Sequence, residues 1–189
     1  MPSSMLHLII AKKVNPNASI NFYIGNVAVD AISERDKKDT AHFRNAPDIE
    51  NALREFALKT EYDYLKGILL HLYVDWKWDS THMIDFANEI EGSWHPQYLE
   101  ELGLMSAYAF HNTEWAYKLL EQMELWDGCG FVETEFITKE NIYSYIHRIR
   151  KWHIENKLNA STAFSPELIE KFATDTADDF NKWFSDLTN

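Results

Sequence analysis

Apolar positions recur at helical spacing along most of the chain, and Ser, Thr, Asp and Pro residues mark where the periodic stretches begin. Ser3 or Ser4 can cap a first helix over Met5 to Val14, in which Met5, Leu8, Ile9 and Ala11 share broadly one side. Residues 20 to 32 are apolar and contain Gly25; they form a short helix or a turn leading into Asp30. Residues 33 to 48 are charged and hold Pro47, which predicts a surface loop with His42 embedded in it. Asp48 can cap a helix to about Lys59, and a strongly apolar helix follows from about Asp63 to Trp76. Asp79 or Ser80 starts another, to about Ile90. Pro96 suits a first helical turn and opens a long stretch to about Leu125. Asp127 to Gly130 reads as a turn, and Gly130 to Ile137 has the pattern of a short strand with no obvious partner. Thr138 caps a helix to about Glu155. Ser165 as N-cap, with Pro166 and Glu167 after it, begins a last helix to about Leu187, whose apolar face from Leu168 to Leu187 packs on the rest.

Composition turns this pattern into a fold class. With 6 Gly and 5 Pro in 189 residues the chain lacks the tight turns of a β-sandwich or barrel, so an all-α, multi-helix fold is expected. A hydrophobic fraction of 46% and an aromatic fraction of 14% exclude a disordered chain. The length suits one domain over residues 1–189. The net charge of -12 repels nucleic-acid phosphates and anionic lipid, which argues against nucleic acid as a stable partner and against a membrane surface. An anionic substrate stays possible, because divalent cations can reverse the potential inside a cleft. The single cysteine, Cys129, fits a reducing cytoplasm and reads as a small semi-buried residue in Gly128-Cys129-Gly130. Leu8-Ile9-Ile10-Ala11 is too short for a signal peptide and its lysines follow it, and no apolar run reaches the roughly 20 residues of a membrane span. A cytoplasmic protein is expected.

The strongest chemical signal is His71-Leu72-Tyr73-Val74-Asp75. Residues four apart on a helix lie on one side, so an imidazole nitrogen and a carboxylate oxygen can converge on one cation. The flanking residues are apolar, and burying His71 and Asp75 among them is costly unless they pair with each other or hold a metal. His7 in the first helix, Asp30 at the end of an apolar run and His42 in Ala41-His42-Phe43-Arg44 are further candidates. Each also has a plain structural reading: a core histidine, a helix cap and a solvated histidine. Trp76 and Trp78 flank the proposed site and could line its mouth. Arg44 can grip a phosphate oxygen or make a surface ion pair.

The opening Met1-Pro2-Ser3-Ser4-Met5-Leu6-His7, the block Phe22 to Asp30, the triplet His42-Phe43-Arg44 and the run Gly67 to Asp75 together resemble the ordered ligand series of the zinc-dependent phospholipase C family, in its small cytoplasmic bacterial branch. The resemblance covers roughly the N-terminal half. It implies the all-α fold shared by those enzymes and single-strand nucleases, a metal site and phosphoester hydrolysis. It also implies that Asp30, His42, His71 and Asp75 share one ion, with Asp75 bridging to a second held partly by His7. The chain departs from the family's pattern in having no His-x-x-x-Glu pair and no amino-terminal tryptophan; His82, and His111 with Glu114, are the residues left for a third ion.

The expected function is a metal-dependent hydrolase of small phosphoesters with one or two ions, Zn²⁺ by family resemblance and Mn²⁺ or Fe by the mixed His/carboxylate donors. In it Asp30 doubles as the base that orients water and Arg44 touches substrate. Two alternatives stand beside it. One is a non-catalytic, metal-stabilised helical domain. The other is an HD-type nucleotide phosphohydrolase, which needs an adjacent His-Asp pair that this sequence lacks.

Overall fold

A computed structural model describes residues 2–188 and is helical throughout, with no strand among the described residues. The helices are α1 (Ser4–Val14), α2 (Ile20–Ala28), α3 (Arg35–Ala41), α4 (Ile49–Ala57), α5 (Asp63–Asp79), α6 (His82–Glu89), α7 (Trp94–Asn112), α8 (Ala116–Glu124), α9 (Lys139–Glu155) and α10 (Pro166–Thr188). A 3₁₀ turn, Val29–Ala31, extends α2 and carries Asp30. One apolar core runs through the assembly. None of the described helices is long and apolar enough to cross a membrane.

The caps expected from the sequence are formed. Ser3 Oγ accepts from the Leu6 amide at 3.4 Å, Asp48 Oδ1 from Asn51 at 3.0 Å, Thr138 Oγ1 from Asn141 at 3.2 Å and Ser165 Oγ from Leu168 at 3.3 Å.

The centre of the molecule is the crossing of α2 and α5, the most extensive helix pair in the fold. Two glycines allow it. A methyl group on Gly25 would run into the Tyr64 carbonyl oxygen, and one on Gly67 into the Phe22 carbonyl oxygen. The two backbones therefore touch, as small residues alone permit. Helix α1 packs on this pair from one side and is itself covered by α10 and α7. Buried on nearly every side, α1 and α5 show no clean apolar stripe, which is the behaviour of interior helices.

Several sequence expectations are corrected. Residues 35–41, expected in a loop, are α3; the segment is helical although it buries none of its residues. Helix α5 continues through Asp79, and α6 begins only at His82. The stretch expected to run unbroken to Leu125 is interrupted at residues 113–115, where Ala116 N begins a new helix by bonding Thr113 O at 3.0 Å. The strand expected over 130–137 is irregular chain: Phe131 packs edge-on against Tyr64 at 5.5 Å, and Ile137 enters the core. Such a segment, with no partner to share a ladder, satisfies its apolar residues by packing instead. Cys129 is exposed, because the Gly128–Gly130 turn lies at the surface.

Candidate metal centre

Five side chains from four segments meet beside the α2–α5 crossing. His7 comes from α1, Asp30 from the 3₁₀ turn, His42 from the C-cap of α3, and His71 and Asp75 from successive turns of α5. All five are buried. Two groups of donor atoms, His7–His71–Asp75 and Asp30–His42–His71, each lie within 4.8 Å of one another and could hold a metal ion.

The imidazoles of His42 and His71 are oriented by the backbone. His71 Nδ1 donates to the Asn26 carbonyl at 2.8 Å, a bond that the close approach of α2 and α5 makes possible. His42 Nδ1 donates to the Lys38 carbonyl at 2.7 Å, one turn back along α3. A carbonyl can only accept, so each Nδ1 carries the proton and each neutral ring turns a bare Nε2 toward the other. The two Nε2 atoms are 3.2 Å apart. Around them, Asp75 Oδ2 lies 3.5 Å from His71 Nε2 and 3.6 Å from His42 Nε2, and Asp30 Oδ1 lies 3.6 Å from His42 Nε2. Donors at metal–ligand distances of about 2.0–2.1 Å around a tetrahedral ion are separated by roughly 3.3 Å. The separations among these atoms match that figure. The outward hydrogen bond from each ring to a carbonyl is the arrangement that orients metal-binding histidines.

The second half of the cluster is less complete. His7 lies flat against His71, ring centroids 3.9 Å apart and planes 11° apart, and its Nε2 is 3.2 Å from Asp75 Oδ1. Neither nitrogen of His7 nor either carboxylate oxygen of Asp75 makes a well-formed hydrogen bond, although all four are buried. Unpartnered buried polar atoms are rare, and this set is what a cation would satisfy.

The electrostatics agree. Burial and the neighbouring His71 lower the pKa of His7 to about 4, so at neutral pH it is an uncharged ligand. Burial works to raise the carboxyls of Asp30 and Asp75, but the surrounding groups outweigh it: His42, His71 and Lys38 for Asp30, and His71 and His7 for Asp75. Both are held below the usual carboxylate range. Burial works to lower the pKa of His71, yet Asp75 and Asp30 raise it.

Two residues of the centre carry no sequence signal. Lys38 reaches back from α3 and places Nζ 2.8 Å from Asp30 Oδ1. Tyr145 of α9 donates to Asp30 Oδ2 at 3.4 Å and pairs with Ser4 Oγ at 2.8 Å. A lysine in a charged run and a tyrosine on a distant helix look like surface and core until the chain is folded.

Other candidates fall elsewhere. Arg44 lines an opening of about 310 Å³ with His42, Asp75, Trp76 and Asp79, where its Nη1 is 2.6 Å from Asp39 Oδ1. Trp76 is at this mouth, as expected. Trp78 is not: it is fully buried and donates to Tyr98 Oη at 2.7 Å. The residues considered for a third ion stand apart from both groups. His82 packs on Trp78 and Phe172, His111 Nε2 donates to the His153 carbonyl at 3.0 Å, and Glu114 is exposed in the turn after α7. Comparison with protein-family models, with curated proteins and with solved structures returned no match.

Proposed function

We propose that this protein is a metal-dependent hydrolase of phosphoesters. The observation that carries the reading is the pair of bare Nε2 atoms on His42 and His71, 3.2 Å apart and flanked by Asp30 and Asp75. A divalent cation bound there would supply Lewis acidity toward a phosphoryl oxygen and a nucleophile drawn from water near neutral pH. Zn²⁺ suits two imidazoles and two carboxylates, and Mn²⁺ or Fe fits the same donors. His7 with the second oxygen of Asp75 forms a weaker position for another ion. Asp30 Oδ2 accepts only one long bond, from Tyr145 at 3.4 Å, and so keeps capacity to orient a water molecule. Arg44, at the opening beside Asp75, would meet substrate and not metal. The acidic surface, with a net charge of -12, favours small soluble phosphoesters over an anionic bilayer.

The test is elemental analysis of untagged protein followed by assays on a soluble phosphomonoester, a soluble phosphodiester and a phosphatidylcholine micelle, each with Zn²⁺ and with Mn²⁺. Slow hydrolysis of a soluble ester, abolished by chelation and by His71→Ala, is expected. Fully metallated protein that cleaves none of the three would sink the reading and leave a metal-stabilised binding domain. Cleavage of the micelle alone would point to a lipid substrate.

A further inference from the structure

Asp30 faces two ways. One side belongs to the metal centre. The other lines a cavity of about 380 Å³, walled by Lys38 and by Tyr145, Arg148 and Trp152 of α9, with Ser106 of α7 also in its lining. We propose, resting on the hydrolase reading, that this cavity is the substrate pocket, and that it takes a phosphate monoester whose organic part is a flat ring.

The first argument is charge. In a chain of net charge -12, arginines find acidic partners easily. Arg35, Arg44, Arg54 and Arg150 each lie within 4 Å of a carboxylate. Arg148 has no such ion pair among the described residues; its guanidinium lies over the Tyr145 ring, 5.1 Å from the centroid. An arginine stacked in this way keeps its planar fork free for a ligand, and that fork matches two phosphate oxygens. Lys38 supplies a second cation to the same cavity. A phosphate monoester carries between about one and a half and two negative charges at neutral pH, which two cations match better than they match a diester.

The alternative opening, at Arg44, has the opposite balance. Asp75 and Asp79 share its walls, and the guanidinium is already taken by Asp39 at 2.6 Å. An anion approaching there meets carboxylates.

The second argument is shape. Tyr145, Arg148 and Trp152 are three and four residues apart on α9, so they form one face. Trp152, in the cavity wall, retains 36% of its surface exposed, which offers an indole face beside the cationic end. Ser106 adds a fixed polar group. Its hydroxyl donates to His153 Nε2 at 2.9 Å, because His153 Nδ1 is committed to the Ile149 carbonyl at 2.7 Å.

The experiment is calorimetric titration of the full chain with inorganic phosphate and with phenyl phosphate, with metal content measured for every variant. Arg148→Gln is expected to weaken binding of both about tenfold or more, the loss of one charge-assisted hydrogen bond, with metal content and circular dichroism unchanged. Trp152→Leu should weaken phenyl phosphate and leave inorganic phosphate unaffected. Removing the same charge from α10 with Lys182→Gln should alter affinity less than about twofold. Unchanged phosphate affinity in Arg148→Gln, or a loss seen in Arg44→Gln instead, would overturn the proposal. Phosphate binding that depends on Arg148 without any hydrolysis would support the pocket and remove the hydrolase. Hydrolysis that survives Arg148→Gln with unaltered affinity would do the reverse.

Discussion

His42 and His71 turn their Nε2 lone pairs on one another across 3.2 Å, and neither ring has a proton to place between them, since each Nδ1–H is bound to a carbonyl. In a low-dielectric interior that contact is unfavourable until a cation or a proton relieves it. Purified protein is therefore expected to carry at least one transition-metal ion per chain, and chelation should lower its melting temperature. An ion present at a hundredfold excess over its dissociation constant adds about 2.7 kcal/mol. Thermal unfolding with and without chelator checks this; metal-free protein whose melting point ignores added Zn²⁺ and Mn²⁺ would remove the centre.

Asp75 answers both His7 and His71, at 3.2 and 3.5 Å. Asp75→Ala should destabilise the fold by about 3–5 kcal/mol, the range for taking one partner from a buried charged set. It should also empty the site. Urea unfolding with parallel metal analysis measures the two together, and no change in either would mean that Asp75 is effectively solvated.

The α2–α5 crossing predicts opposite outcomes for two glycine substitutions. Gly67→Ala drives a methyl group into the Phe22 backbone and should cost about 1–3 kcal/mol or more, as overpacking does. Gly103→Ala, inside α7, meets only a Trp152 ring carbon at 4.0 Å. It should be neutral or stabilise by up to about 1 kcal/mol, since alanine is the better helix former. Chemical denaturation of the two variants side by side decides the matter.

Glu101 holds the segment leading into α10. Its carboxylate accepts from Ser161 Oγ at 2.5 Å, the Thr162 amide at 3.1 Å and the Ala163 amide at 3.3 Å. Burial works slightly against the charged form, but these bonds, led by Ser161, lower the pKa below that of a free glutamate. A carboxyl that titrates lower when folded stabilises the protein above its unfolded pKa, and that stabilisation is lost as pH falls through the folded value. Glu101→Gln should cost about 1 kcal/mol at pH 7, a modest figure because the group is largely solvated. The gap between variant and parent should close in acid, which unfolding measured from pH 7 to pH 3 would show.

Much of the fold could be read from residues that act locally. Asp48, Thr138 and Ser165 cap helices because their side chains bond amides three residues on, which sequence spacing records directly. The pairing of His71 with Asp75 was legible for the same reason, as one helical turn separates them. Helix α3 was not, because Arg35–Ala41 contains no apolar stripe, and periodicity has nothing to register where nothing is buried. His42 looked solvated for that reason, yet its burial comes from α5 and the 3₁₀ turn, both remote in sequence. The break at residues 113–115 carries no Gly or Pro, so no punctuation announces it. Lys38, Tyr145 and Arg148 acquire meaning only when α3 and α9 are brought to Asp30.

The ligands differ in how firmly the chain holds them. His71 and Asp75 sit on a helix locked to α2 backbone against backbone, and His7 on one enclosed by α2, α7 and α10. His42 ends α3, seven residues long with none of them buried, tied to the centre through Lys38 and Asp30. Fraying is cheapest where few apolar contacts must be broken. The residence time of an ion would therefore follow the opening of α3: the centre is slow to assemble wrongly and quick to exchange, with most of its coordination sphere permanent and one imidazole acting as its latch.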